Sequence, residues 1–323
     1  MSERQGQLLP YLAFAALGLI WGASFLFIKL GLQDMGPTVI VLGRSTAGAL
    51  ALGVIMLVTG RELFRDLRAR LGRFVFMAVF NALLPWVLIA WGEEHISSGL
   101  ASILNSTTTL WVALFIYWVI PAERPTALNY AGVLIGVAGV VILVAPDLAQ
   151  HGISGDLAGA LAVVAAAMSY AIAALFVRVK MRGMNVYEQS FGQLAATALI
   201  TLPVAAPALP HVHLAPLSLA AVLALGVGGS GIAYLLYYYT MHTLGAVRAT
   251  GVTFVVPITA VFWGAVLLHE GITLATVVGG VIILIGIVLT NRRARATAGR
   301  PATSSPSPVP SPATPSSSRA SRT

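Results

Sequence analysis

The 323-residue chain has no cysteine, so it forms no disulfide and offers no thiolate for catalysis or metal binding. Charge is almost as scarce, with 9% of residues Asp, Glu, Lys or Arg against about 25% in an average soluble domain. That shortage excludes a water-soluble globule. In its place stand 58% hydrophobic residues and a mean hydropathy of +0.87. The common catalytic and nucleotide-binding motifs are also missing: no H-E-x-x-H, no G-x-x-x-x-G-K-[ST] and no G-x-S-x-G. Gly228, Gly229, Ser230 and Gly231 resemble a phosphate loop only superficially, since they sit inside an apolar run with no following Lys. The chain is therefore expected to be no enzyme and to hold neither metal nor cofactor.

An apolar stretch of about 20 residues crosses a bilayer as a helix, so a chain of this length holds at most roughly ten crossings. Its hydrophobic runs predict ten, at 10–32, 38–59, 73–92, 98–120, 126–146, 155–178, 187–206, 216–240, 246–268 and 273–291. Segments such as Leu134 to Val144 and Ile282 to Leu289 are apolar all round, which argues against the alternating pattern of a β-barrel. The expected fold is an all-α integral membrane protein. The first run is too long for a signal-peptide core and is expected to be retained as a span. Residues 292–323, rich in Pro, Ser, Ala and Thr, are expected to be a disordered tail.

The net charge of +8 would suggest nucleic acid if it formed one face, but its distribution gives a topology instead. With residues 1–9 placed in the cytoplasm, all Lys and Arg except Lys29 and Arg44 fall in that N-terminal segment, in cytoplasmic connections or in the basic tail. The opposite connections hold Asp34, Glu93, Glu94, Asp147, Asp156 and Glu270. The expectation is a multi-pass protein of the cell inner (plasma) membrane with both termini cytoplasmic.

The halves also repeat. An offset of 147 aligns His95 with His242, Glu123 with Glu270, Gly132 with Gly279 and Gly139 with Gly286. An offset of 149 aligns Trp21 with Tyr170, Lys29 with Arg178 and Gly43 with Gly192. Five spans used twice, over 10–146 and 155–291, place the second unit upside down relative to the first because five is odd. Inverted units that exchange conformations are a recurrent design of secondary transporters.

Trp21-Gly22-Ala23-Ser24-Phe25 followed by Ile28-Lys29, Pro37 and Arg44 is similar to the WG-x-[NS]-[FY]…K…P…R opening of EamA-type transporters in the drug/metabolite transporter superfamily. Val256-Pro257, His269-Glu270, Gly279-Gly280 and Gly286 resemble that family's closing pattern. The resemblance implies a 5+5 inverted-repeat bundle around a central cavity, exporting amino acids or other small metabolites. One departure is Thr109-Leu110 where the second unit has Val256-Pro257, so a proline kink is expected only in the ninth span.

Polar residues inside hydrocarbon are costly unless they face protein or a water-filled cavity. Ser98, Ser102, Asn105 and Thr109 recur at spacings that put them on one helical face, widened by Ser106, Thr107 and Thr108. Arg248, Thr250, Thr253 and Pro257 are the counterparts in the second unit. Any single Ser or Thr here could equally bond its own helix. Asn81, Pro85 and Trp86 in the third span match the Gly-rich run to Gly231 with Tyr234 and Tyr238 in the eighth, and paired interruptions point to a transporter's site. Expected substrate-binding residues are Arg44, Asn81, Trp86, Ser102, Asn105, Thr109, Tyr234, Tyr238 and Thr253, with Pro85, Gly231 and Pro257 as kinks or gates. Trp91 and Tyr239 read as interface residues. Lys29 reads equally as a snorkelling cation or a functional one. For Arg44, Asp34 is the expected partner, replaceable by a substrate carboxylate or phosphate.

All 11 acids fall at span ends or in connections. Glu93, Glu94 and His95 are accordingly expected to be solvated, and a facilitated, gradient-driven exporter is favoured over a proton-coupled one. His95 and His242 read as surface groups beside helix ends. An organophosphate or nucleotide-sugar exchanger would want two or more cavity cations, and a polytopic lipid-modifying enzyme would want convergent acids and histidines. The expected partners are a small-molecule substrate and the lipid bilayer, with no nucleic acid. Monomer and homodimer both stay open.

Overall fold

The computed structural model describes residues 3–61, 67–120, 126–151, 155–244 and 252–291. Arg248, Thr250 and the tail from residue 292 lie outside them, as do the side chains of Tyr238 and His242. Every regular element among the described residues is helical. In chain order these are α1 (Glu3–Gly31), α2 (Pro37–Val58), α3 (Leu67–Ala78), α4 (Leu84–His95), α5 (Ser98–Asn105), α6 (Thr108–Val119) and α7 (Ala127–His151). There follow α8 (Gly155–Lys180), α9 (Val186–Ala205), α10 (Pro216–Gly226), α11 (Ala233–Leu244), α12 (Val252–Leu267) and α13 (Leu274–Asn291).

Seven continuous runs are long and apolar enough to cross a membrane: Leu8–Gly31, Pro37–Val58, Ala69–His95, Ser98–Val119, Ala127–Pro146, Gly155–Lys180 and Pro216–Tyr237. Val252–Leu267 and Leu274–Thr290 are shorter apolar helices. Leu134, Leu199 and Leu274 are each more than 70% exposed, an outward apolar surface that a protein in water would bury. The helix of α1 begins seven residues before the predicted span. Hydropathy marks the thickness of the hydrocarbon layer, whereas backbone hydrogen bonding carries the helix beyond it.

Two runs are interrupted by single π turns. Val79–Leu83 joins α3 to α4, and Val227–Ile232 joins α10 to α11. In the first, Pro85 has no N–H for the carbonyl four residues back, at Asn81, and its ring crowds that carbonyl; the π turn accommodates both. In the second, Gly228, Gly229 and Gly231 leave the backbone free to widen. The fourth predicted span is also interrupted, at Ser106 and Thr107 between α5 and α6.

Packing follows small residues, because lipid tails are as apolar as Leu and give helices no hydrophobic reason to associate. α7 lies along α13, α4 along α8, α2 along α9 and α1 along α12. At α7 and α13 the fit is closest. A Cβ on Gly132 would stand 2.7 Å from the Gly286 carbonyl, and one on Gly139 would stand 2.9 Å from the Gly279 carbonyl. Each glycine admits the other's backbone.

The chain alternates between two ends of the bundle, named here for Lys29 and Arg70. At the Lys29 end, Lys29 Nζ donates to the carbonyls of Glu93 and Ile96, the latter at 2.9 Å, and so caps the C-terminus of α4. Glu270 accepts from Ser98 N at 2.8 Å, Ser98 Oγ at 2.9 Å and Gly99 N at 3.3 Å, covering the N-terminus of α5. At the opposite end Arg70 of α3 pairs with Glu188 of α9.

Candidate functional site

Between these ends lies a cavity of about 380 Å³, walled by α1, α2, α4, α5, α6, α8, α11, α12 and the two π turns. Its size falls within the range of about 300–1,000 Å³ typical of small-molecule sites. Arg44, Asn81, Trp86, Ser102, Asn105, Thr109, Tyr234, Thr253 and Pro257 all line it. Of the other residues singled out in the sequence, Pro85 and Gly231 are buried behind the wall, and the Tyr238 side chain is outside the described set.

Arg44 reaches the cavity from α2 and is buried. Its Nε donates to Ser230 Oγ at 2.9 Å, and its guanidinium carbon sits 3.9 Å from the centre of the Trp86 ring. The π-face of Trp86 offers the cation negative charge where water is scarce. The expected Asp34 partner is not used. Asp34 instead accepts from Ser218 Oγ, which also donates to the Leu30 carbonyl at 3.1 Å. The physical reason is position: Asp34 sits past the end of α1, whereas Arg44 is about two turns into α2 and is met there by the opened π turn.

The freed backbone and side chains of the π turns are occupied in a definite pattern. Trp21 Nε1 donates to the Gly229 carbonyl at 3.2 Å, and the Trp21 ring lies 5.5 Å from that of Tyr237. Asn81 Nδ2 donates to Gln193 Oε1 at 3.0 Å, and Gln193 Nε2 donates to Tyr234 Oη at 3.3 Å. A polar chain thus ties the first π turn, through α9, to α11 on the other side. Ser169 Oγ donates to the Phe80 carbonyl of the same turn at 2.7 Å.

The polar stripe of the fourth span divides. Ser106, Thr107 and Thr108 donate to the carbonyls of Ile103, Leu104 and Asn105 at 2.6, 2.6 and 2.8 Å, satisfying themselves within the chain break. Ser98 is engaged by Glu270. Ser102 and Asn105 line the cavity, and Ser102 Oγ and Asn105 Oδ1 are buried with no hydrogen-bond partner among the described residues.

Sequence reasoning missed Tyr170, Tyr237 and Gln193. Tyr170 lines the cavity and is the repeat partner of Trp21, which lines it too. For Gln193 the signal was present but unused: Gln189, Gln193, Thr197 and Thr201 recur every four residues on α9, and all are buried. Glu93 corrects a further expectation. It is fully buried rather than solvated, while its neighbour Glu94 is exposed. At the very end of α4 its side chain turns inward because residues 86, 89 and 93 share one helical face.

A family model of EamA-like transporters matches the chain twice, over residues 8–145 and 157–292. The chain belongs to the EamA-like transporter family. Relatives of this EamA chain in the drug/metabolite transporter superfamily are named as transporters. "Uncharacterized transporter YoaV" of Bacillus subtilis is 23% identical over 280 residues, covering 86% of the chain and 95% of the relative. "Probable terminal-alkyne amino-acid exporter" of Streptantibioticus cattleyicolor is 29% identical over 277 residues, covering 84% and 90%. "Uncharacterized inner membrane transporter YedA" of Escherichia coli K12 is 27% identical over 265 residues, covering 80% and 83%. A crystal structure shares the EamA chain's fold with a TM-score of 0.64 at 20% identity, over 87% of this chain and 96% of that one. Helices apolar enough to span, together with these relatives, make the chain a multi-pass membrane transporter.

Proposed function

We propose that this transporter exports small metabolites, amino acids or amphiphilic analogues of them, by alternating access between two inverted five-helix units of a ten-helix bundle. The observation that carries the reading is the cavity itself: one buried cation, Arg44, beside aromatic walls and the Ser102 hydroxyl and Asn105 amide oxygen, which have no partner among the described residues, set where two helices open at matched places in the halves. Arg44 suits a substrate carboxylate. Trp86, Trp21 and Tyr237 suit an apolar side chain, and Ser102 with Asn105 suits an amine or amide.

The inverted-repeat reading is supported by the reciprocal glycine contacts. Gly132 meets Gly286 and Gly139 meets Gly279, and the repeat offset converts the first pair into the second. The double match of one family model over units close to 10–146 and 155–291 supports it further. Placement of the Arg70 end and both termini in the cytoplasm is supported by the cation distribution, and placement in the inner membrane by the YedA relative. The amino-acid exporter among the relatives favours the same substrate class. Among the residues lining the described cavity Arg44 is the one cation, which weighs against an organophosphate or nucleotide-sugar exchanger. Membrane catalysis is disfavoured by the transporter relatives.

Counterflow in proteoliposomes with labelled amino acids, sugars and organic phosphates tests this. Uptake confined to amino acids is expected. Uptake of phosphates alone would replace the substrate class, and silence of the whole panel would remove the transporter function.

A further inference from the structure

Glu93 occupies the last turn of α4, one turn beyond Ile89 and two beyond Trp86, both of which line the cavity. It is 0% exposed, and neither carboxylate oxygen has a hydrogen-bond donor among the described residues. Lys29 Nζ donates to the main-chain carbonyls of Glu93 and Ile96 and acts on the Glu93 carboxyl group through its charge alone. Around it stand α1, α2, α8 and the connection before α13. The charged groups that act on it from these are Lys29, Arg44 and Glu270, and α8 presents Gly159 and Val163 to the same turn of α4. Arg44 is held by Ser230 and Trp86, while Glu270 is consumed by the start of α5. On its own helix, Glu94 is exposed and His95 stacks edge-on against Trp91 at 4.7 Å.

A bare carboxylate without donors is far costlier in a dry interior than a carboxyl group. We propose that Glu93 is a proton-binding site of the Lys29 end, and that this end closes over the cavity only when Glu93 carries a proton. The step is simple to balance: on opening, the carboxyl O–H bond breaks heterolytically, the proton passes to water on that side, and the carboxylate is hydrated. Closure reverses it. By linkage, acid favours the closed Lys29 end and alkali the open one. The inference rests on alternating access but on no particular substrate.

Two substrate-free measurements test it, so they fail independently of counterflow. Infrared pH-difference spectra of the protein in nanodiscs are expected to show a protonated-carboxyl band at neutral pH that Glu93→Gln removes and Glu94→Gln keeps. Absence of that band, or its survival in Glu93→Gln, overturns the proposal. The cysteine-free chain also permits a single reporter, Ala90→Cys, at a buried position one turn before Glu93. Its reaction with a methanethiosulfonate reagent is measured with Glu93 and with Glu93→Gln, the second correcting for thiol ionisation. Between about pH 6 and about pH 9 the ratio of the two rates is expected to rise, by up to about tenfold per pH unit for one proton. A ratio independent of pH overturns the coupling of proton to closure, whatever counterflow shows.

Discussion

The α7 and α13 pair and the helices around the cavity solve opposite problems. At α7 and α13 backbones touch through glycine, and polar ties between them, Asn129 Nδ2 to the Thr290 carbonyl at 2.7 Å and Thr290 Oγ1 to the Asn129 carbonyl at 3.5 Å, lie near one end. Around the cavity, helices are opened by π turns, broken at Ser106, and furnished with polar atoms that span the bundle. Close packing needs small residues and regular helix. A site needs room and unsatisfied groups, and both weaken the elements that supply them. The difference divides the molecule into a part that holds and a part proposed to bind.

Substitution on the holding side is expected to have the largest effect. In Gly286→Leu the new side chain would begin 2.6 Å from Gly136 N, so stability is expected to fall by about 3 kcal/mol, read as a lowered melting temperature in detergent. An unchanged melting temperature would break the comparison at once. On the binding side, Arg44→Gln is expected to cut counterflow of carboxylate-bearing probes at least about tenfold, about 1.4 kcal/mol, with melting little moved. Equal loss for every probe, or loss of folded protein, would transfer Arg44 to the holding class. Glu270→Gln sharpens the boundary: it keeps the shape but removes the anion from the α5 N-terminus, and should cost about 1 kcal/mol of stability. Smallest is Ser102→Ala, whose hydroxyl has no partner among the described residues. Its stability should change by less than about 0.5 kcal/mol while affinity for an amine-bearing probe weakens, and a large melting shift would reveal a structural hydroxyl instead.

Much of the cavity was legible before any coordinates. Asn81, Trp86 and Tyr234 could be named because Pro and clustered Gly inside apolar runs force the backbone open, and such openings are tolerated only beside protein or water. Ser102, Asn105 and Thr109 were legible from helical spacing. The same rule could not separate them from Ser106, Thr107 and Thr108, because whether a hydroxyl turns to its own carbonyl or to a cavity depends on a local chain break. Gln193 was overlooked although its four-residue spacing was equally plain, since the single Gly192 beside it leaves α9 an uninterrupted helix at that point.

Charge pattern, hydropathy period and internal repetition thus determined from the sequence alone that this is a membrane bundle, which residues are too polar for lipid, and which halves correspond. Pairing was decided by tertiary structure. Arg44 chose Ser230 and Trp86 over Asp34, Lys29 chose two carbonyls over a carboxylate, and Glu93 turned inward without a donor. The physical reason is that composition states how many polar groups must be satisfied in hydrocarbon. Which donor meets which acceptor depends on distances of a few tenths of an ångström between helices far apart in the chain.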